Sequence, residues 1–221
     1  MTEKDFTSQT LSAFLEKQGF NREESGNTDK LAAFTDLLAK WNGRTNLVGP
    51  RTRADIVRTL VLDSLHLARF LKNMPLPESP ETWDLGAGAG IPGIPLRLVW
   101  DSGTFTLVEV REKRVLFLRT ALALLKPERT TVYSGRAEDF MKTRIRAGKP
   151  ADLILSRAFM PWPELLDFTE PSLRRGGRVI ILANTPAPVD ELPEGWELEA
   201  TRQYLVSEKS RYFWALKKYY S

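Results

Sequence analysis

The sequence predicts an α/β fold, a mainly parallel sheet with an antiparallel edge hairpin, preceded by an N-terminal helical extension. Residues 11–72 carry apolar side chains at helical spacing, and the chain beyond residue 80 alternates short apolar runs with helical stretches. Two extended runs with no long helix between them then close the sequence. At 221 residues and 42% hydrophobic content, the chain is long enough for one such core with a small addition.

Taken in order, Leu11, Phe14, Leu15 and Gln18 suggest a short helix, ended by Gly19 and a polar stretch to Thr28. Leu31, Phe34, Leu38 and Trp41 recur at spacings of three, four and three, the mark of an amphipathic helix. A third helix, over about 54–71, carries Ile56, Leu60, Leu67 and Leu71 on one side. The segment 73–80, with three prolines, stops it and serves as the expected boundary between the extension, 1–75, and a core domain, 76–221. Strands are expected at 82–85, 104–110, 130–133, 152–155 and 178–182. Val115, Leu118, Leu122 and Leu125 mark a helix between the second and third. Residues 196–204 and 212–216 form the closing hairpin.

Composition narrows the chemistry. With no cysteine and one histidine, disulfides, thiolate sites and multi-histidine zinc sites are excluded, so no metal is expected. No apolar run reaches bilayer length, and Glu3 and Asp5 beside Lys4 lack the order of a signal peptide, so a cytoplasmic protein is expected. A net charge of +4 permits a polyanionic partner without requiring one. Its distribution is more telling: 42–72 holds six basic residues (Arg44, Arg51, Arg53, Arg58, Arg69, Lys72) against Asp55 and Asp63. Arg111, Lys113, Arg114 and Arg119 follow. Either cluster alone reads equally well as a solvated face; together they suggest a phosphate-facing side.

The stretch from Asp84 through Gly86, Gly88 and Gly90 leaves the first strand, and Ile91-Pro92-Gly93 opens the next helix. The glycines allow a sharp turn and close approach of a ligand to the backbone. A dinucleotide fingerprint would place its third glycine at position 91, which is Ile91, and this weakens a nicotinamide-dependent oxidoreductase. Alternation at 86, 88 and 90 after an acid resembles the first motif of class I (Rossmann-like) S-adenosylmethionine-dependent methyltransferases. The resemblance implies that the loop cradles the amino-acid end of the cofactor, and Asp84 can hold its ammonium directly or through water. Glu109, ending the second strand, can accept both ribose hydroxyls, although a strand-end glutamate by itself is commonly a surface residue. The Ala137 backbone and the Glu138 side chain could touch adenine, or could simply cap a helix.

After the fourth strand comes Ser156-Arg157-Ala158-Phe159, not the Asn/Asp-Pro-Pro-aromatic segment of many amino-methylating nucleic-acid enzymes. Arg157 could fork onto a guanine's ring nitrogen and carbonyl oxygen, bind a phosphate, or pair with a local carboxylate, while Phe159 offers a stacking face.

Several stretches together resemble the bacterial small-subunit ribosomal RNA guanine-7 methyltransferases, also called the glucose-inhibited division protein B family. They are Trp41-Asn42 with Thr45-Asn46-Leu47, Leu62-Asp63-Ser64-Leu65, the run 84–95, Lys113-Arg114-Val115 with Phe117-Leu118-Arg119, Gly135 to Glu138, Ser156-Arg157-Ala158, and Gly176-Gly177-Arg178. The resemblance implies a class I methyltransferase fold with a helical extension, S-adenosylmethionine as cofactor, and 16S rRNA or the small-subunit particle as partner. Matched residue by residue, it places cofactor contacts on Gly86, Ile91, Ala137, Glu138 and Arg157. Guanine nitrogen 7 would attack the methyl in line, with Arg157 orienting the base as the one catalytic candidate. Arg51, Arg53, Arg58, Arg111, Lys113 and Arg114 are the candidate RNA contacts, and the acting unit is expected to be a monomer. The chain departs from the family pattern at Thr59-Leu60, where an Arg-His pair is usual, at Ala183-Asn184, near which a lysine is common, and at Tyr212, which replaces a histidine. A non-catalytic RNA-binding ribosome assembly factor keeping the same fold is the alternative.

Overall fold

The computed structural model describes residues 2–219. Its centre is a seven-stranded sheet in the order β3-β2-β1-β4-β5-β7-β6. The strands are β1 Glu81–Leu85, β2 Thr104–Glu109, β3 Thr130–Ser134, β4 Ala151–Ser156, β5 Leu173–Ala183, β6 Trp196–Val206 and β7 Lys209–Lys218. β1 to β5 pair in parallel, β7 runs antiparallel against β5, and β6 pairs only with β7. The expected edge hairpin is therefore present, with its second strand inserted next to the sheet and its first strand outermost.

Side-chain caps delimit the amino-terminal helices. Thr7 and Thr10 form a reciprocal capping box on α1, Ser8–Lys17, and Asn21 with Glu24 does the same on α2, Arg22–Ser25. Asn27 caps α3, Thr28–Thr45, which ends where Asn46 turns left-handed at φ 51°. Asn42, buried at the end of α3, then holds the following loop by donating to the Pro50 carbonyl and accepting from the Val48 N–H.

The helix expected over 54–71 is interrupted. It consists of α4, Arg53–Ile56, a π-helical turn at Val57–Val61, and α5, Leu62–Lys72. One wide turn inserts an extra residue and rotates all that follows by about 100° about the helix axis. Leu62, Asp63, Ser64 and Leu65 are consequently all buried.

In the second half of the chain, α6 Gly93–Arg97 and α7 Glu112–Leu125 follow β1 and β2. α8 Ala137–Arg146 and α9 Trp162–Thr169 add to the elements expected from sequence; α8 buries only Ala137, Phe140 and Met141, too few to make a long apolar stripe. Extension and sheet share one apolar core. Phe34 and Trp41 of α3 meet the ring of Phe117 at 6.4 and 5.6 Å, and Phe70 of α5 meets Phe213 of β7 at 5.5 Å. Ring pairs at these separations lie in the favourable tilted range.

Candidate active site at the carboxyl ends of the parallel strands

β1 lies between β2 and β4, so the order of strands reverses there, and crevices at such switch points take ligands outside the carboxyl ends of the strands. Asp84, next to the end of β1, is 1% exposed. Its Oδ2 has no hydrogen-bond partner, and a Cβ added to Gly93 would stand 2.6 Å from that oxygen. Burial pushes the carboxyl up to about 7, with nearby Glu109 adding to it and the Gly93 N–H and the Arg157 charge opposing it. A buried, half-satisfied carboxylate suits a cationic ligand.

The glycine loop that follows is held by β2. Gly86 and Ala87 both donate their N–H to the Val108 carbonyl at 3.0 Å. Gly86, Gly88 and Gly90 have φ of 70°, 56° and 71°, the left-handed region that residues with a Cβ avoid. Glu109, 4% exposed, accepts the Gly88 N–H on Oε2, and the Val110 and Arg111 N–H groups on Oε1, all at 2.9 Å. This carboxylate therefore clamps the loop to the start of α7, a role that sequence reading did not assign to it.

A cavity of about 420 Å³ opens here, within the range of small-molecule sites. Gly86, Glu109, Ala137 and Glu138 line it together, as does Phe159, whose ring lies so close to Gly86 that an added Cβ would meet Cδ2 at 2.6 Å. Ile91, by contrast, is turned into the main apolar core. Ala158 holds a left-handed φ of 52° without being glycine, and such strain gathers at functional turns.

Of the readings left open for Arg157, the structure displays a carboxylate partner, and it comes from the extension. Arg157 Nη1 lies 3.0 Å from Asp63 Oδ2, and the Tyr204 hydroxyl donates to Asp63 Oδ1 at 3.0 Å. Burial raises the Asp63 carboxyl, against the pull of Arg157, Tyr204 and Arg211. Sequence reading placed Asp63 in a stretch resembling the family but assigned no site role to it or to Tyr204. The available signal was a carboxylate placed between Leu62 and Leu65 on an otherwise apolar helix face.

The basic candidates divide by partner. Arg53 donates to Glu3 at 2.8 Å and to Asp36 at 3.1 Å, tying the start of the chain to α3 and α4. Arg58 lies 3.7 Å from Asp55. Arg51 is exposed, and so are Arg111 and Lys113 at the start of α7. Arg111, Arg114 and Arg136 border the cavity, Arg114 with Nη1 3.7 Å from Glu109. Arg136 is an addition to the sequence-based set.

Two of the three departures from the family pattern are neighbours in space: Ala183 and Tyr212 face each other across β5 and β7, and Arg211 bonds the Asn184 side chain. Thr59 and Leu60 fall within the π turn. Among the described residues, no group of three or more His, Cys, Asp or Glu could hold a metal ion, and no helix is long and apolar enough to cross a membrane.

A family model described as rRNA small subunit methyltransferase G (GidB) matches residues 27–211. The chain is 52% identical over 207 residues to the ribosomal RNA small subunit methyltransferase G of Nitratidesulfovibrio vulgaris (strain DP4), covering 94% of this chain and 92% of that one. It is 50% identical over 195 residues to the protein of the same name from Oleidesulfovibrio alaskensis, covering 84% and 83%. Among solved structures, precorrin-6y C5,15-methyltransferase from Geobacter metallireducens superposes with a TM-score of 0.52 at 17% identity, covering 79% of this chain and 91% of that one. TrmN from Thermus thermophilus superposes with a TM-score of 0.51 at 20% identity, covering 72% and 48%. These structural likenesses show the class I methyltransferase fold.

Proposed function

Since the chain belongs to the rRNA small subunit methyltransferase G family, we propose that it transfers a methyl group from S-adenosylmethionine to nitrogen 7 of a guanine in 16S rRNA. The observation that carries this reading is Asp84. Its buried, unpartnered oxygen belongs to the residue two before Gly86, the first of three left-handed glycines and the one that lines the cavity of about 420 Å³.

Asp84 would hold the cofactor's ammonium, with Gly86, Gly88 and Gly90 allowing backbone approach and Ile91 supporting the loop from the core side. Glu109 would meet the ribose while keeping its backbone bonds, since a carboxylate offers about four acceptor positions. Ala137 and Glu138 would flank the adenine. When bound, the cofactor supplies an electrophilic methyl carbon on sulfonium sulfur. The chain's own work is orientation: guanine nitrogen 7 presents a lone pair and no proton, so no side chain has to act as a base. Arg157 would orient the acceptor base, and Phe159 offers a face for stacking.

Arg51, Arg111, Lys113 and Arg114, joined by Arg136, would meet RNA phosphates directly. Arg53 and Arg58, already engaged by acids of the extension, would act from a second rank. The reading takes a cytoplasmic monomer as the acting unit, with residues 1–75 as a functional extension of the 76–221 core.

The test is to delete the gene and map methyl-dependent cleavage of 16S rRNA. One guanine should lose its cleavage and regain it when the gene is returned, and an unchanged map would overturn the reading. If the purified chain bound S-adenosylhomocysteine but methylated neither rRNA nor small subunits, the assembly-factor alternative would take its place.

A further inference from the structure

Three separate elements meet at one buried carboxylate. Asp63 enters the core from α5 just after the π turn, Arg157 follows β4, and Tyr204 stands on β6. Asp63 is 2% exposed, with Oδ2 on the Arg157 guanidinium and Oδ1 on the Tyr204 hydroxyl, each at 3.0 Å. Tyr204 is itself confined: its ring stacks on Phe213 at 4.5 Å and lies against His66 at 4.6 Å. A carboxylate in water would leave a long arginine side chain free to sample many rotamers. A carboxylate shut away from solvent, held on Oδ1 by the Tyr204 hydroxyl and presenting Oδ2 to the guanidinium charge, does not.

Arg157 directly precedes the strained Ala158 and the Phe159 ring that lines the cavity. We propose that Asp63 is a positioning residue for the acceptor base, holding the Arg157 guanidinium in one orientation at the mouth of the methyl-transfer site with Tyr204 fixing it from behind. The inference rests on the proposed function and goes beyond it. The amino-terminal extension and the carboxyl-terminal hairpin both contribute to acceptor geometry, although neither supplies a residue that lines the cofactor cavity.

The experiment uses the full chain and small ribosomal subunits from a strain lacking the gene. For wild type, Asp63→Asn, Tyr204→Phe, Arg157→Lys and the Tyr204→Phe/Arg157→Lys double variant, it measures kcat and KM, S-adenosylhomocysteine affinity by calorimetry, and thermal midpoint. Asp63→Asn should lower kcat/KM by about tenfold or more while product affinity stays within about twofold. Tyr204→Phe should lower it by about threefold, and should add nothing once Arg157 is lysine, because both act through the same guanidinium. A merely structural role would lower the thermal midpoint and leave kcat/KM unchanged below it, and that result overturns the proposal. So does an effect of Tyr204→Phe that multiplies in full with Arg157→Lys. Should Asp63→Asn fail to fold, the tyrosine–arginine cycle decides, since Tyr204→Phe removes one oxygen and keeps the ring. Absence of transfer by the wild-type chain would strike the proposed function, and this role with it; loss confined to the variants cannot be mistaken for that.

Discussion

Arg157 is fastened to Asp63 across the whole first half of the fold, with Nη1 3.0 Å from Oδ2. The residue that follows β4 is therefore paired with a helix of the amino-terminal extension. Burying such a pair is costly unless further hydrogen bonds complete it, and Tyr204 supplies one.

Gly86 and Gly88 share a left-handed backbone but differ in what a side chain would meet. A Cβ on Gly86 would stand 2.6 Å from Phe159, whereas on Gly88 it meets nothing nearer than 3.7 Å. Gly88→Ala should cost only the left-handed strain, about 1 kcal/mol, and lower the melting midpoint by about 2–4 °C. Its product affinity should nevertheless fall by about tenfold or more if a ligand uses that open space. Gly86→Ala should lower both the midpoint and the affinity further, because the ring must move. Scanning calorimetry with titration of S-adenosylhomocysteine reads both, and intact affinity in Gly88→Ala would remove the loop from the binding site.

Asp84 should make cofactor binding depend on pH. Its folded value, raised by burial to about 7, lies above the ordinary 3.8, so its contribution to stability is fully present below pH 3.8 and is lost as pH rises through 7. A cationic ligand acts in the opposite sense because it requires the ionised form. Between pH 6 and pH 8 the ionised fraction rises from about a tenth to about nine tenths, so S-adenosylmethionine should bind about tenfold more tightly at the higher pH. Asp84→Asn should weaken binding and flatten this profile; a wild-type profile already flat would contradict the assignment.

His66, the only histidine, should report on the seam between extension and hairpin. Burial, with the charges of Arg202 and Arg69, lowers it to about 4. An unfolded histidine takes its proton near 6.5, so the contribution to stability is present above pH 6.5 and is lost as pH falls from there through 4. Proton NMR should show the single imidazole titrating near pH 4 in the folded chain, and His66→Phe should reduce the loss of stability over that interval. Titration at 6.5 would place the ring in solvent.

Arg97 holds the opposite end of the sheet. Only 2% exposed, it donates to the carbonyls of Trp100, Asp101, Ser102, Gly103 and Glu128, and to the Thr130 hydroxyl. Arg97→Met keeps most of the volume but orphans these acceptors, and should destabilise the fold by about 3 kcal/mol or more in denaturant titrations. Since the loops it ties lead into the starts of β2 and β3, product affinity of the folded variant should stay within about threefold of wild type. A change in affinity larger than the change in stability would mean that this end of the sheet communicates with the site.

Much of the architecture was legible because its causes are local. Apolar runs at 82–85 and 152–155 fall within β1 and β4, and the glycines at 86, 88 and 90 permit the left-handed loop that the chain adopts there. Gly86, Glu109, Ala137 and Glu138 line one cavity because each lies at, or within a few residues beyond, the carboxyl end of a parallel strand. The π turn was not legible, since one extra residue in a helix leaves its apolar content unaltered. Nor was Glu109's grip on the Gly88 N–H, which requires knowing how far β2 stands from the loop.

By itself the sequence determined the succession of strands, the glycine loop and the family, because backbone preference and burial pattern are properties of near neighbours. Tertiary structure alone decided which charges pair with one another: Arg53 goes to Glu3 and Asp36 at the surface, and Arg157 goes to the buried Asp63. An ion pair forms between whichever groups packing brings within a few ångströms, and that distance is a property of the assembled fold.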